Sequence, residues 1–239
     1  MKTVSAHTLA QGAPAKVRRR DREKTKAEIL QIAFEEFAES GLLGANADAI
    51  AARAGITKRL IFYYFNSKEE LFIAVLEMAY GRMRQAEESL HLEALAPEAA
   101  IRRLAEFTFD FHQANPEFVR LVAIENIHRG RHIQRSEKLT QMTRPVIGQI
   151  ERVLAKGKSL GTIRPEINAH ELHVTLNAMS IFSVANRHTF EAQFCWDMSS
   201  PEAKARRRTE IAEVLWRYVR CDEPSAIVDL GSEERPPDA

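Results

Sequence analysis

The segment NADAIAARAGITKRLIFYYFNSKEEL, residues 46–71, constrains this chain more than any other. Three helix starts fall within it. Asn46 and Thr57 can each cap a helix with a side-chain oxygen, and SKEE at 67–70 has the form of a capping box, with Ser67 as cap and Glu70 reaching back. Gly55 stops the first of these helices. The spacing leaves room for two short helices joined by a tight turn and a longer one behind them. Ala47, Ile50, Ala51 and Ala54 give the first a narrow apolar stripe, with Asp48 placed well for its dipole. In the second, Leu60, Ile61, Tyr64 and Phe65 share one face while Lys58, Arg59, Phe62 and Tyr63 share the other.

The flanking sequence is helical too. From about Arg22 the residues Leu30, Ala33, Phe34, Phe37 and Ala38 form one stripe, and Gly41 ends it. After Ser67, Leu71, Phe72, Val75, Leu76 and Ala79 continue the pattern. Further helices are expected at 97–114, 116–128, 131–157, 168–188 and 200–220, punctuated by Pro97, Pro116, Gly130, Gly161, Pro165 and Pro201. No credible strand pair appears, so the expected fold is all-α: an N-terminal three-helix helix-turn-helix domain followed by a larger helical domain. The expected divisions are a flexible basic arm at 1–20, the helix-turn-helix domain at 21–67, the larger domain at 68–221 and a disordered acidic tail at 222–239.

A chain of 239 residues that is 45% hydrophobic can bury a real core. Its longest apolar stretch, VTLNAMSIFSVA at 174–185, is too short and polar to cross a bilayer, which asks for about 20 apolar residues. The N-terminus lacks the apolar core of a secretory signal. Cys195 and Cys221 are too few for a disulfide framework and suit a reducing compartment. No membrane partner and a cytoplasmic address are therefore expected.

The charge is front-loaded. Residues 1–68 carry 12 Lys and Arg against 7 Asp and Glu, a net of +5, and the remainder carries −4. KVRRRDREKTK at 16–26 concentrates it further. A recognition helix needs one apolar face to anchor it and another free to enter a major groove about 12 Å wide. Residues 57–65 have that split, and Lys58 and Arg59 stand at the helix N-terminus, the end that meets base edges in this geometry.

Residues 25–76, which hold the turn AIAARAGIT, the aromatic helix KRLIFYYF and the start SKEEL, resemble the DNA-binding domain of the TetR (tetracycline repressor) family of bacterial transcriptional regulators. The resemblance implies phosphate or cap contacts from Asn46 and Thr57, base or groove contacts from Lys58, Arg59 and Tyr63, and phosphate held by Lys68. Phe62 stands where the family usually has tyrosine, which removes a hydroxyl and leaves a ring to pack on sugar or a thymine methyl. Leu60 stands where small or polar residues are common. Arg18, Arg19 and Arg20 either follow the adjacent groove or backbone, as basic arms do, or remain in solvent.

The resemblance also implies a double-stranded DNA operator, a homodimer and an unidentified small-molecule effector as partners, with no cofactor. From the residues alone, helix 168–188 is apolar nearly all round and must be covered twice. By resemblance it pairs with the last helix and their copies in an intersubunit bundle, through Leu172, Leu176, Met179, Ile211, Val214, Leu215 and Tyr218. An effector pocket should be apolar with a few placed polar groups. Its candidates are Phe107, Phe111, Phe118 and Phe182, with Glu125, Asn126, His128, Arg131 and Asn186, each of which core packing explains equally well. His128 with His132, and His170 with His173, have spacings a metal could use. No catalytic motif accompanies them, so neither a metal site nor an enzyme is expected. A constitutive DNA-binding dimer or an activator without effector stays open as an alternative, and a metal-dependent helical enzyme more distantly.

Overall fold

The structure, a computed structural model, describes residues 15–221, with side chains from Asp21 onward. The first fourteen residues of the expected arm, the side chains of Arg18, Arg19 and Arg20, and the expected acidic tail lie outside the described residues. Helix α1 (Ala15–Gly44) starts before Arg22, because Lys, Arg and Glu in the basic run lose little side-chain freedom in a helix. It breaks at Gly41, as expected, where φ is +70°. Nothing stands within 4 Å of a Cβ built there, so the glycine serves backbone conformation and not space.

Helices α2 (Ala47–Arg53), α3 (Lys58–Phe65), α4 (Lys68–Glu88), α5 (Pro97–Ala114) and α6 (Pro116–Ile127) follow, close to the expected spans. The single helix expected at 131–157 does not form. Arg129 and Gly130 both adopt positive φ, a 3-10 turn runs over Ile133–Arg135, and α7 (Glu137–Ser159) begins only after Ser136. The reason is chemical: the His132 and Ile133 amides donate to the Glu125 carboxylate at 2.7 and 3.0 Å, and the Ser136 hydroxyl accepts from the Leu139 amide at 3.2 Å. Likewise the expected helix 168–188 ends early. Helix α8 (Ala169–Ala185) gives way at Asn186 to a separate α9 (Arg187–Phe194), which the apolar pattern does not announce. Helix α10 (Pro201–Val219) closes the described chain, and one isolated bridge joins Ile163 to Arg220.

The described chain divides into two compact units that do not follow sequence order. The first holds residues up to Arg82 together with Glu117–Thr140; the second holds Met83–Pro116 and the chain from Gln141. The expected boundary after residue 67 therefore does not coincide with the packing. Phe72 meets Phe37 edge-on at 5.1 Å and His132 at the same distance, while Tyr80 meets Phe118 at 5.2 Å, which ties α4 and α6 into the first unit. Ile29, Ala33, Phe37, Ile50, Ile61 and Phe65 complete its buried interior. In the second unit α5 packs against α8 and α10, and Leu104, Phe109, Leu172, Leu176, Ile211 and Leu215 form its centre. None of the described helices is long and apolar enough to cross a membrane.

Candidate nucleic-acid interface and cavities of the second unit

Local chemistry builds the α2–turn–α3 element. Asn46, in extended backbone, accepts the Asp48 amide at 2.8 Å and so starts α2. At the other end the Ile56 amide returns to the Ala51 carbonyl at 3.0 Å across Gly55, whose φ of +63° a side chain would strain. Thr57 then accepts the Leu60 amide at 3.3 Å and α3 begins. Ser67 accepts the Glu70 amide at 3.1 Å, but the reciprocal half of the expected box is absent. The Ser67 amide goes to the Phe65 carbonyl, and the Glu70 carboxylate pairs with Arg135.

Ile61 and Phe65 are buried and anchor α3, with Leu60 and Tyr64 half-buried beside them. Lys58, Arg59 and Tyr63 face outward, and Phe62 is half-buried between the two stripes. The outward cations are not equivalent. Lys58 pairs with Asp48 at 2.8 Å, an exposed contact worth about 0–1 kcal/mol that a phosphate can displace. Arg59 has no hydrogen-bond or ion-pair partner among the described residues. Lys68 is committed: its ammonium donates to the Leu43 and Ala45 carbonyls at 3.2 and 3.1 Å, closing the α1–α2 connection. These bonds give Lys68 a positioning role and leave at most one of its three donors for a phosphate. Tyr63 is held by a residue that sequence reasoning missed. The Arg22 guanidinium donates to its hydroxyl at 2.6 Å and lies 5.7 Å from the ring centroid. The two residues are 41 positions apart, and no periodic signal links them.

The nine expected effector residues are divided between the two units. Phe118, Glu125, Asn126, His128 and Arg131 belong to the first unit; Phe107, Phe111, Phe182 and Asn186 belong to the second. Phe118 is core against Tyr80, and Glu125 is a buried structural carboxylate, with its second oxygen 2.6 Å from His132 Nδ1. Asn126 bonds back to the Val122 carbonyl, His128 packs edge-on to His132, and Arg131 is exposed. Phe107 and Phe111 pack on each other, 5.9 Å apart. No group of three or more metal-ligating side chains occurs among the described residues.

Several cavities open among the described residues of the second unit, and two of them are the most enclosed. One, of about 240 Å³, is walled by Phe109, Phe182, Phe190 and Trp196 and also lined by Gln113 and Ser183. The other, of about 420 Å³, lies among Arg84, Glu87, His91, Glu93 and Arg152. Burial pushes Glu87 up to about 7, against the pull of its Arg84 partner. Burial likewise pushes His112 down to about 4, helped by the charges of His173 and Arg84.

Four of the expected pairing residues also require correction. Leu172, Leu176, Ile211 and Leu215 are fully enclosed in the second unit's own core, and Met179 packs against that core. Val214 and Tyr218 are exposed. They are accompanied on α8 by Val174, 66% exposed, and by Phe182. The apolar surface that needs a cover is therefore the opposite side of α8 from the one chosen by sequence.

Comparison with known proteins agrees with this architecture. Residues 29–75 match the family model described as bacterial regulatory proteins, tetR family, and residues 97–215 match the one described as tetracyclin repressor-like, C-terminal domain. The HTH-type transcriptional repressor NicS of Pseudomonas putida is 33% identical over 204 residues, spanning 85% of this chain and 96% of that protein. The HTH-type transcriptional repressor SCO4008 of Streptomyces coelicolor is 35% identical over 167 residues, 69% of this chain and 81% of that one. The crystal structure of a TetR transcriptional regulator from Chloroflexus aurantiacus shares the fold, with a TM-score of 0.65 at 20% identity over 84% of this chain and 98% of that one.

Proposed function

Because the chain belongs to the tetR family of bacterial regulatory proteins, we propose that it is a homodimeric repressor that grips a palindromic operator through α3 and releases it when a small molecule binds the second unit. The family is one of DNA-binding regulators of transcription, so the chain is a regulator and not an enzyme. Such a regulator works in the cytoplasm, where its DNA lies.

The observation that carries the reading is the divided α3. Ile61 and Phe65 lock the helix in place, while Arg59 stands outward at the N-terminal end that meets base edges and Tyr63 stands outward one turn further on. Arg59 can donate bidentately to guanine, and its fork is unengaged. Pairing of two copies through the exposed α8 and α10 side chains would present two α3 helices related by a two-fold axis, which calls for half-sites about one helical turn, roughly 34–36 Å, or a multiple apart.

Selection of DNA from a random pool by the pure protein tests this. Recovery of a palindrome with that half-site spacing, bound by two chains, is the expected result. Enrichment of no sequence, or of single half-sites bound by one chain, would overturn it. Release by cell metabolites then separates an effector-controlled repressor from a constitutive DNA-binding dimer.

A further inference from the structure

We infer that the cavity bounded by α5, α8, α9 and the start of α10 binds a small aromatic carboxylate of one or two rings. Its role as effector rests on the function proposed above; the binding itself does not. Four flat side chains from different elements wall the space: Phe109 on α5, Phe182 on α8, Phe190 on α9 and Trp196 beyond it. Phe182 and Phe190 meet edge-on at 5.8 Å, which leaves ring faces to receive a planar guest.

The polar lining is specific. Gln113 Nε2 and Ser183 Oγ are buried with no hydrogen-bond partner among the described residues. Leaving a buried donor unmade is costly, so native chains keep such groups where something else satisfies them. Thr108, Thr175 and Thr209 each bond back to the helix carbonyl four residues earlier, at 2.8–3.1 Å, whereas Ser183, 3% exposed on α8, does not, and neither does Ser180 in the preceding turn; of the two serines only Ser183 lines the cavity. Neither atom is reached by solvent as the cavity stands, so each would donate to a ligand oxygen only after a turn of its side chain toward the guest.

Charge selects the kind of oxygen. Of the acidic residues lining the cavity, Glu210 is paired with Arg207 at 3.0 Å, and Asp197 accepts the Ser199 and Ser200 amides. Lys204, half-buried on α10, lines the cavity with no ion-pair partner among the described residues. A cationic guest would meet three cations, Lys204, Arg206 and Arg207, against the two carboxylates Asp197 and Glu210, whereas a carboxylate finds the unpaired Lys204 ammonium. Size sets the limit. A cavity of about 150 Å³ holds benzene, and drug-sized pockets start at about 300 Å³, so 240 Å³ takes one or two rings and excludes a long acyl chain. The guest would touch α8 through Ser183 and α10 through Lys204, the two helices that also carry the exposed apolar side chains Val174, Val214 and Tyr218. That arrangement gives the site a direct route to the geometry of a dimer.

Calorimetry on the full chain with benzoate and 2-naphthoate tests the site, with 2-naphthalenemethanol and cyclohexanecarboxylate as the uncharged and non-aromatic controls. The expected result is saturable binding of one aromatic acid per chain, weakened about tenfold or more by Lys204→Met and near normal in Lys204→Arg. Ser183→Ala should weaken it by a smaller factor. No saturable heat from either aromatic acid at millimolar concentration would overturn the inference. So would equal affinity of the parent chain, Lys204→Met and Ser183→Ala. Operator anisotropy in the same titrations keeps the two readings apart. Binding that depends on Lys204 but leaves DNA bound sustains the site and removes its effector role. Release of DNA by another compound, unchanged in Lys204→Met, sustains the repressor and overturns the site as its switch.

Discussion

Helices α3 and α8 are both divided lengthwise, and the division means different things. The buried stripe of α3 is two large residues, Ile61 and Phe65, and its outward stripe is cationic and aromatic, soluble alone and suited to an anionic groove. The buried stripe of α8 includes Leu172 and Leu176, and its outward stripe, with Val174 and Phe182, is apolar. Water tolerates the first surface indefinitely. The second is a contiguous apolar strip of the kind that marks an interface. One helix thus reads as finished and the other as half of something.

Substitutions on the two sides of α8 should break this contrast most strongly. Leu172→Ala removes a fully buried side chain and should cost about 2–5 kcal/mol of folding stability, with the oligomeric state unchanged. Val174→Asp, on the exposed side, should leave the melting transition of the isolated chain nearly in place and split the dimer. Sedimentation and denaturant unfolding measured on both variants decide it. A Val174→Asp chain that stays dimeric would move the pairing surface elsewhere.

The second unit also hides titratable groups, and these should give it a pH signature. His112 titrates near 4 in the fold against 6.5 unfolded, so its contribution is present above pH 6.5 and lost as pH falls through 4, up to about 3 kcal/mol. Glu87 runs the other way: raised from 4.5 to about 7, it contributes below pH 4.5 and loses that contribution as pH rises through 7. The two oppose each other between pH 4.5 and 6.5. His112→Leu should therefore make stability fall with rising pH across that window, and Glu87→Gln should make it rise. Urea midpoints taken in steps of pH would show whether the slopes separate.

On α3 the effects are smaller and concern recognition. Arg59→Ala should cost about 1–3 kcal/mol of operator affinity and relax preference at one base pair. Equal losses on matched and mismatched sites would reduce Arg59 to a phosphate contact. Lys68→Met should behave differently: because its ammonium closes the α1–α2 connection, it should lower the stability of the first unit by about 1 kcal/mol while changing the salt dependence of binding little.

What the sequence made legible follows the range of the interactions. Caps and stops act within four residues, so Asn46, Gly55 and Thr57 announced α2 and α3 correctly. Periodicity shows that a helix has an apolar face, which found α5 and α10 to the residue or nearly so. It cannot choose between two apolar faces, so the pattern alone assigns Leu172 and Leu176 to an interface although they fill the core. Nor can it see a partner brought from elsewhere in the chain. Glu125 diverted the His132 and Ile133 amides and cut the expected 131–157 helix short, and Lys68 was drawn to carbonyls more than twenty positions away. The cavity is hidden for the same reason: its wall needs α9, a helix of weak amphipathic pattern whose start falls inside the expected span 168–188.

The least of these effects is the most diagnostic of how α3 is prepared for DNA. Tyr63 is 64% exposed, and a free side chain there would sample several rotamers before docking. Arg22 restrains it twice, by the 2.6 Å hydrogen bond to its hydroxyl and by the guanidinium near its ring. Both contacts are solvent-exposed, so their effect on folding should be within about 0.5 kcal/mol. Their effect on binding is the ordering cost they remove, about 0.5–1.5 kcal/mol for one immobilised side chain. Arg22→Met should thus weaken operator binding two- to tenfold or so with the melting transition unmoved. Tyr63→Phe, which deletes the hydroxyl that Arg22 holds, should reproduce part of that loss, and the double variant should lose less than the sum. Additive losses in operator titrations would mean that Arg22 and Tyr63 each meet the DNA independently, and that the recognition helix arrives at the groove without a pre-set aromatic side chain.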